Sequence, residues 1–502
     1  MKLTMKYLCS LLIAAIFISG ISCSKNYLNL APNNVLTIDN YYQTQDDAIA
    51  ATNAVYNPLQ GLYNGSMWHI GDIMSDDCDL GGGGGGDGLE TAELDNFTLT
   101  SFNPVVKNVW VQCYQGIERA NIVLDKVPAI SNMSSSIRTR CLGEASFLRG
   151  FYYFQLVRLF GDVPLYTNPI TVEQSKLLSR TASSEVYAQI IADLKFAADS
   201  LPQKYSGNDL GRITSGAAQG ILAYVYLTIG DKINAANYAL QVIQSGNYQL
   251  LTDYADNFNL NLENGKESLF EVQYRNSGGC FCDFAQGQKL NCFFAPRDQN
   301  LVFNQGYGWN VPTFDFASQY ERTNPQDPGT IIDKRRARSM WMPKDKDGSY
   351  TQPDQLVGSP NGFDVKKYYV PSTIAGGDGD GWTCALNIPV MRYSEVLLIY
   401  AEALGAVDGK PFIDEVRARA GLAPLPILSD AAYLEAIYKE RRIEFAFEMH
   451  RWFDLLRNPD PNYFVTVMKA AGKTNIQSFH RYVPIPQSER DIDPNLTQNP
   501  GY

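Results

Sequence analysis

A short loop that alternates glycines with aromatic residues is the part of this sequence best suited to bind a ligand. It reads Gly306-Tyr307-Gly308-Trp309-Asn310. The flat apolar face of an aromatic ring matches the C–H face of a sugar ring, and the Asn310 amide can bond to hydroxyl groups at the rim. The glycines let a ligand approach the backbone closely. We therefore predict that Tyr307, Trp309 and Asn310 belong to a binding site for a hydroxyl-rich ligand.

Three more tryptophans fall in segments without helical periodicity, where a large indole either contacts a ligand or fixes a loop to the core. They are Trp68, Trp341 and Trp382. Trp110 and Trp452 instead follow the spacing of buried helix faces, which indicates core positions. We add the first three tryptophans to the predicted binding site and keep the core interpretation of each as the alternative.

Asp76 and Asp77 lie just before a run of six glycines, Gly81–Gly86. We interpret the two carboxylates as hydroxyl acceptors in a mobile loop. A structural calcium ion is the alternative for this segment and for residues 378–380, although neither has the spacing of an EF-hand. The glycine run contains no lysine, so it does not resemble a phosphate-binding loop. We expect no cofactor.

Charged residues are concentrated near the C-terminal end of the chain. The cluster comprises Glu440, Arg441, Arg442, Glu444, Glu448 and Arg451. On one helix, Arg441 would face Glu444, and Glu448 would face Arg451, so we predict a structural ion-pair network. A second group could meet an acidic sugar, but we interpret it as a solvated face: Arg335, Arg336 and Arg338.

Common catalytic motifs are absent from the sequence. It contains no G-x-S-x-G, no H-E-x-x-H and no G-K-[ST] after a glycine-rich loop. Its 3 histidines leave little material for a metal site or a catalytic triad. The 53 acidic residues could still supply the carboxylate pair of a glycosidase. We predict a protein that is not an enzyme, with a surface glycoside hydrolase as the alternative.

The composition is that of a large acidic globular protein. The 502 residues are 45% hydrophobic and 12% aromatic, which is enough apolar surface to form a folded core. A net charge of −11 repels nucleic acid, and no basic stripe compensates for it. We therefore expect no nucleic-acid partner.

The first 22 residues have the pattern of an export signal. Two lysines precede an apolar run that is too short to span a membrane and ends in small residues. The following Cys23 completes a segment, Gly20-Ile21-Ser22-Cys23, that resembles a bacterial lipobox. No later stretch approaches 18 consecutive apolar residues, a length that would indicate a spanning helix. We predict a protein that is lipidated at Cys23 and anchored to a membrane.

The remaining cysteines give a weaker signal. Cys113 and Cys141 lie in helical patterns, which predicts buried free thiols. A single loop holds Cys280, Cys282 and Cys292, where a disulfide between the last two is one option.

Periodicity predicts helices on both sides of a loop-rich segment. Apolar residues recur at three- and four-residue spacing through most of residues 40–250. The pair at 214–246 has the small-residue spacing of a tetratricopeptide repeat. Residues 250–390 are rich in glycine, proline and aromatic residues, which predicts loops and short strands, and residues 482–502 form an extended tail. Later helices are predicted at Ser394–Leu404, Pro411–Ala420 and Ala431–Leu456.

Several segments, in order along the chain, together resemble the SusD/RagB family of surface nutrient-binding lipoproteins. They are 145–154 (ASFLRGFYYF), 158–165 (RLFGDVPL), 392–403 (RYSEVLLIYAEA), 416–421 (VRARAG), 440–455 and 484–502. The likeness covers nearly the whole chain. It implies a mainly α fold, in which a scaffold of tetratricopeptide-like helical pairs carries a large loop-rich insertion.

The resemblance also implies a function. A member of this family is expected to be lipid-anchored in the outer membrane, to bind an oligosaccharide at the cell surface and to deliver it to a SusC-like TonB-dependent transporter. The residues after Cys23 lack the acidic cluster often associated with surface export. The sequence therefore does not decide which leaflet of the membrane carries the anchor. A surface module that binds peptide or protein without sugar affinity is a further alternative.

We predict four regions along the chain. They are a lipoprotein signal peptide at 1–22, a helical region with tetratricopeptide-like repeats at 23–250, a loop-rich ligand-binding insertion at 251–390, and a C-terminal helical region with the tail at 391–502.

Overall fold

Helices make up most of the regular structure in the computed structural model, which describes residues 41–275, 287–297, 299, 301–302, 306–372 and 383–502. The predicted signal peptide, residues 378–380, and Cys23, Cys280, Cys282 and Trp382 lie outside the described residues. None of the helices in these described ranges is long and apolar enough to cross a membrane.

Helices occupy most of residues 45–244, within the range where apolar periodicity predicts them. At the start of the first helix, Thr44 and Asp47 cap each other's backbone N–H groups. The longest helix ends at Gly161, whose φ of 71° an L side chain rarely adopts. The helices are α1 (Gln45–Leu62), α2 (Leu89–Asp95), α3 (Pro104–Lys126), α4 (Ser135–Phe160), α5 (Val172–Ser175), α6 (Ser183–Ser200), α7 (Ser215–Thr228) and α8 (Lys232–Gln244).

The predicted repeat-like pair is confirmed as α7 and α8. Asp231 caps the second helix by accepting a hydrogen bond from the Asn234 N–H. The rings of Tyr226 and Tyr238 stack between the helices with centroids 5.7 Å apart. Ala235 is fully buried, so the two helices can approach closely. The scaffold is a helical, tetratricopeptide-like fold.

Short antiparallel strands and single helical turns fill the middle of the chain, as its composition predicts. Strands pair as β1 (Cys78–Gly81) with β3 (Trp309–Pro312), β2 (Ser268–Val272) with β8 (Ile388–Arg392), β4 (Met340–Trp341) with β7 (Asp364–Val365), and β5 (Lys346–Asp347) with β6 (Tyr350–Thr351). The short helices are α9 (Leu290–Phe294), α10 (Phe314–Ser318) and α11 (Arg336–Ser339).

One hydrophobic core draws residues from all three predicted regions that follow the signal peptide. Leu148 of α4, Phe270 of β2 and Trp452 near the C-terminus belong to it, and each is buried. Trp110 is also buried there, so both predicted core tryptophans are confirmed. Cys113 and Cys141 are confirmed as buried free thiols.

The C-terminal helices include one whose predicted bounds are wrong. The expected helix Ala431–Leu456 ends at Glu444 and resumes at Arg451, because Phe447 and Met449 adopt φ values of 61° and 68°. The predicted extended tail also contains a short helix. The elements are α12 (Tyr393–Asp408), α13 (Lys410–Arg419), α14 (Asp430–Glu444), α15 (Arg451–Leu456), α16 (Tyr463–Ala470) and α17 (Gln487–Ile492).

The break after α14 lets its carboxylates face arginines from distant parts of the chain. Glu444 accepts hydrogen bonds from Arg392 at 2.8 Å and Arg335 at 3.1 Å, and also pairs with Arg419. Glu448, in the turn, pairs with Arg392 at 2.8 Å. We call these five residues the ion-pair cluster. All five are buried or nearly so.

The predicted ion-pair network is therefore confirmed, but its predicted partners are wrong. Arg441 pairs with Glu395 and Asp454 instead of Glu444, and Arg451 pairs with Asp76. The charged residues pair with partners from distant parts of the chain and not with residues three positions away on the same helix. Tertiary packing buries these charges, and each buried charge is costly unless it is paired.

The predicted solvated face at Arg335, Arg336 and Arg338 is also wrong. The Arg335 side chain is 1% exposed because it lies inside the ion-pair cluster. Arg336 pairs with Asp345, and Arg338 donates a hydrogen bond to the Phe258 carbonyl.

Replacing Glu444 by Gln should lower the free energy of unfolding by about 3–5 kcal/mol, because three arginines would lose a buried charge partner. Burial alone would raise the pKa of Glu444, but Arg419, Arg392 and Arg335 hold it well below its usual range. Urea unfolding monitored by circular dichroism measures the change. The control is Glu435→Gln on the exposed face of the same helix, which should change little. A Glu444→Gln effect as small as the control's would contradict the role of the cluster.

Candidate functional site

The β1–β3 ribbon brings the glycine run beside the aromatic loop. Gly81 lies opposite Trp309, and Asp79 lies opposite Val311, in the antiparallel pair. Beyond the ribbon, the Gly82 N–H donates a hydrogen bond of 2.8 Å to the Gly308 carbonyl. Two segments more than 200 residues apart in sequence thus form one surface.

Glycine is required in this run because Trp309 packs directly on it. Gly82 has a φ of 60°, and a Cβ atom there would lie 2.5 Å from the Trp309 Cδ1 atom. The glycine run therefore packs against the indole ring of Trp309, a contact that the sequence did not reveal.

Tyr307 and Trp309 form a partly exposed pair that we call the aromatic platform. Their ring centroids are 4.8 Å apart and their planes are inclined by 29°. Phe293 lies 4.8 Å from the Trp309 ring, and Trp68 lies 6.2 Å from it in a nearly parallel plane. Phe293 and Trp68 are buried, so the platform rests on an aromatic base.

A cavity of about 200 Å³ opens beside the platform and supplies polar groups. Burial lowers the pKa of His69 to about 3, so this ring is neutral at physiological pH. Hydrogen bonds from Arg297 and the Gly83 N–H lower the pKa of Asp87. The polar lining comprises Asn64, His69, Asp87, Glu90, Thr91 and Lys289. An apolar ring face beside such groups suits a hydroxyl-rich ring.

Asn310 does not face this cavity, so its predicted role as a ligand contact is wrong. It is fully buried and its φ is 61°. Its side-chain Nδ2 donates a hydrogen bond of 3.0 Å to Asp72 Oδ2, and the Met449 N–H donates to Asp72 Oδ1 at 3.0 Å. Asn310 and Asp72 instead fix the backbone that carries Trp309.

The other predicted tryptophans differ in position. Trp341 is fully buried in a small cluster with Tyr350 and Tyr369, so the ligand contact predicted for it is wrong. Trp68 is 1% exposed and supports the platform from beneath, with an edge on the cavity wall. Trp382 lies outside the described residues, and its role stays a prediction.

The prediction that Asp76 and Asp77 accept hydrogen bonds from ligand hydroxyl groups in a mobile loop is wrong. They are 3% and 2% exposed. Arg451 contacts both oxygens of Asp76, at 2.7 and 2.9 Å, and Arg442 pairs with Asp77. Carboxylates bound to two guanidinium groups do not fit a calcium site. Across the described ranges, no group of three His, Cys, Asp or Glu side chains is placed to hold a metal ion.

Sequence reasoning missed the groups that support the platform. Phe293 carried a weak signal, as an aromatic residue in a Gly/Phe-rich loop. Asp72 carried none, because a single acid in a helical pattern is read as solvated. Both roles depend on a long-range contact that the sequence does not show.

Two family models match the chain. One is described as the SusD family and matches residues 266–502, and the other is described as starch-binding associating with outer membrane and matches residues 89–227. In sequence, the chain is similar to SusD-like protein P2 of Formosa agariphila, with 30% identity over 94% of this chain and 95% of that protein. It is also 23% identical to starch-binding protein SusD of Bacteroides thetaiotaomicron, over 82% of each chain.

Solved structures share the same fold. A laminarin binding SusD-like protein aligns with a TM-score of 0.81 and 28% identity, over 92% of this chain and 100% of that chain. Surface glycan-binding protein A from Bacteroides fluxus aligns with a TM-score of 0.78 and 25% identity, over 92% and 100%.

Replacing Asp72 by Asn should increase the free energy of unfolding, relative to that of wild type, as the pH rises. Burial raises the pKa of Asp72 to about 8, although the hydrogen bond from Asn310 lowers it. Because this pKa exceeds the ordinary value near 3.8, the folded state holds a proton that the unfolded state has lost. Wild type therefore loses stability as the pH rises from about 4 to about 8. The variant does not, because it has no carboxyl group at this position.

The measurement is urea unfolding of both proteins at several pH values between 4 and 9. The stability of wild type relative to Asp72→Asn should fall steadily up to about pH 8 and then level off. A difference that stays constant with pH would mean that Asp72 is ionised in the folded protein.

Proposed function

The chain belongs to the SusD family, and we propose that it captures a glycan at the cell surface with the aromatic platform. Ligand binding then involves both the glycine run of the N-terminal region and the predicted insertion at 251–390. The remaining helices hold these two segments in register.

The aromatic platform is the observation that carries this proposal. Large aromatic rings are normally buried with their neighbours, yet Tyr307 and Trp309 stay partly exposed, and Trp309 lines the cavity. A sugar ring would place its C–H face on Trp309 and direct its hydroxyl groups towards the cavity lining. Each contact adds both apolar burial and orientation.

The names of two relatives guide the choice of glycan. One solved relative is named as laminarin binding, and one sequence relative is named as starch-binding. We propose a neutral glucan as the first ligand class to test, because the cavity beside the platform is lined by both acidic and basic groups.

Capture without cleavage fits the Asp87 carboxylate beside the platform better than hydrolysis does. A glycosidase needs one carboxylic acid whose pKa is raised so that it can protonate the leaving group. Asp87 has a lowered pKa and is bound to Arg297 and the Gly83 N–H. It is therefore poorly suited to act as a general acid.

Membrane attachment and delivery complete the proposal. The export signal and Cys23 support a lipid anchor, and one matching family model is described as associating with the outer membrane. The bound glycan would be handed to a SusC-like TonB-dependent transporter through a lid-like movement. Membership of the family supports this partner.

Trp309→Ala should weaken glucan binding at least about tenfold, because the aromatic surface proposed to stack on the sugar is lost. The mature chain without its lipid is first screened on a glycan array, with laminarin and starch included, and each hit is quantified by calorimetry. Phe196→Ala is the control, since Phe196 is 44% exposed on α6. Reaction products are checked for cleavage.

The outcomes separate the candidate functions. Binding without cleavage that only Trp309→Ala weakens is the expected result. Release of shorter sugars would favour the glycoside hydrolase. No binding to plant, host or microbial glycans would favour a module that binds peptide or protein.

Cys23→Ala should abolish incorporation of radiolabelled palmitate in cells, because the cysteine thiol is the predicted acceptor of the lipid. The variant protein should also leave the membrane fraction. Unchanged labelling would contradict lipidation at this residue.

A further inference from the structure

A cavity of about 180 Å³ on another part of the molecule is lined by basic side chains. It lies where the ends of α4 and α7 meet the start of α6 and the end of α15. Three arginines line it, Arg158, Arg457 and Arg481, and its described lining contains no carboxylate.

Arg158 is held in place without an acidic partner. Its guanidinium carbon lies 4.0 Å from the centroid of the Phe154 ring and 3.9 Å from that of Phe453. Its three guanidinium nitrogens donate hydrogen bonds to neutral groups: Gln155 Oε1, the Phe154 carbonyl and the Tyr224 hydroxyl. No carboxylate of the described chain forms a salt bridge with it. Its position is thus fixed while its charge is not neutralised.

The other two arginines also have unused hydrogen-bonding capacity. Arg481 donates one hydrogen bond of 2.9 Å to the Leu456 carbonyl and pairs with no carboxylate of the described chain. Arg457 pairs with Asp454 at 2.8 Å and with Glu402, and its side chain is 3% exposed. Its remaining nitrogen, Nη2, is buried and has no hydrogen-bond partner among the described residues. An unsatisfied buried donor of this kind is costly.

Neutral groups complete the lining. Burial raises the pKa of the Tyr187 phenol to about 12, while the positive charges of Arg158 and Arg481 both lower it. Both arginines therefore act on the same side chain of the lining. Ser183 begins α6, an 18-residue helix whose N-terminus carries a partial positive charge. The Ser183 N–H donates to the exposed Asp162 carboxylate at 2.8 Å, and Glu185 lies in the first turn of the same helix.

We propose that this cavity binds a tetrahedral oxyanion, a sulfate or phosphate group that is either free or carried by a sugar. Guanidinium groups bind such oxygens through paired, charge-assisted hydrogen bonds. Arg158 and Arg481 would gain a counter-charge, and the anion would lie beside Arg457. The cavity shares no lining residue with the cavity beside the aromatic platform, so this proposal does not depend on the proposed function.

Calorimetry tests the proposal with inorganic sulfate, inorganic phosphate and glucose 6-sulfate, at constant ionic strength in chloride buffer. The lipid-free mature chain should bind at least one of the three, and the comparison shows whether the free or the sugar-borne anion is preferred. Arg481→Gln should weaken binding about tenfold, because one charge-assisted pair is lost.

Arg138→Gln is the matched control. Arg138 is partly buried, donates to one carbonyl, that of Ile130, and forms no salt bridge with a described carboxylate. It lies about 30 Å from Arg158 along α4, from a rise of about 1.5 Å per residue. This variant removes the same charge and should leave anion binding unchanged.

A second variant keeps the test decisive if Arg481→Gln fails to fold. Ser183→Ala removes one hydroxyl from the cavity wall and should weaken binding by a smaller, measurable factor. The proposal is overturned if wild type responds to sulfate and phosphate as it does to chloride. It is also overturned if Arg138→Gln weakens binding as much as the folded cavity variants do.

Discussion

Buried carboxylates at the end of α14 hold the C-terminal helices to the centre of the molecule. Glu444 and Glu448 meet Arg392 from β8, and Glu444 also meets Arg335 and Arg419. Removing so many charges from water costs several kcal/mol for each ion, so the cluster is stable only when every partner is in place. Its main effect is therefore to specify one arrangement of the elements that carry the partners.

The same constraint reaches the candidate site. Arg442 lies in α14 and Arg451 begins α15, and these two arginines hold Asp77 and Asp76 immediately before β1. Asp72 joins the backbone of the turn between these helices to Asn310, next to Trp309. Both strands of the ribbon that presents the aromatic platform are thus fixed to the charged core. A preordered platform loses less entropy when a ligand binds.

Local features of the fold could be predicted because they depend on nearby residues. The helix from Gln45 and the stop at Gly161 follow from capping groups and glycine conformation. Burial of Leu148 and Trp110 follows from helical spacing. The family resemblance supplied the overall arrangement, which periodicity alone did not.

Tertiary partners could not be predicted from spacing. Asp76 and Asp77 have the composition of a polar loop, and only the approach of Arg442 and Arg451 makes them structural. Trp309 and Trp341 look alike in sequence, yet one is partly exposed and the other is enclosed. The difference depends on which segments pack against each ring.

A crystal structure of the mature chain with a laminarin oligosaccharide tests the account most directly. A sugar ring stacked on Tyr307 and Trp309 is the predicted result, and an oligosaccharide bound elsewhere with the platform unoccupied would contradict it.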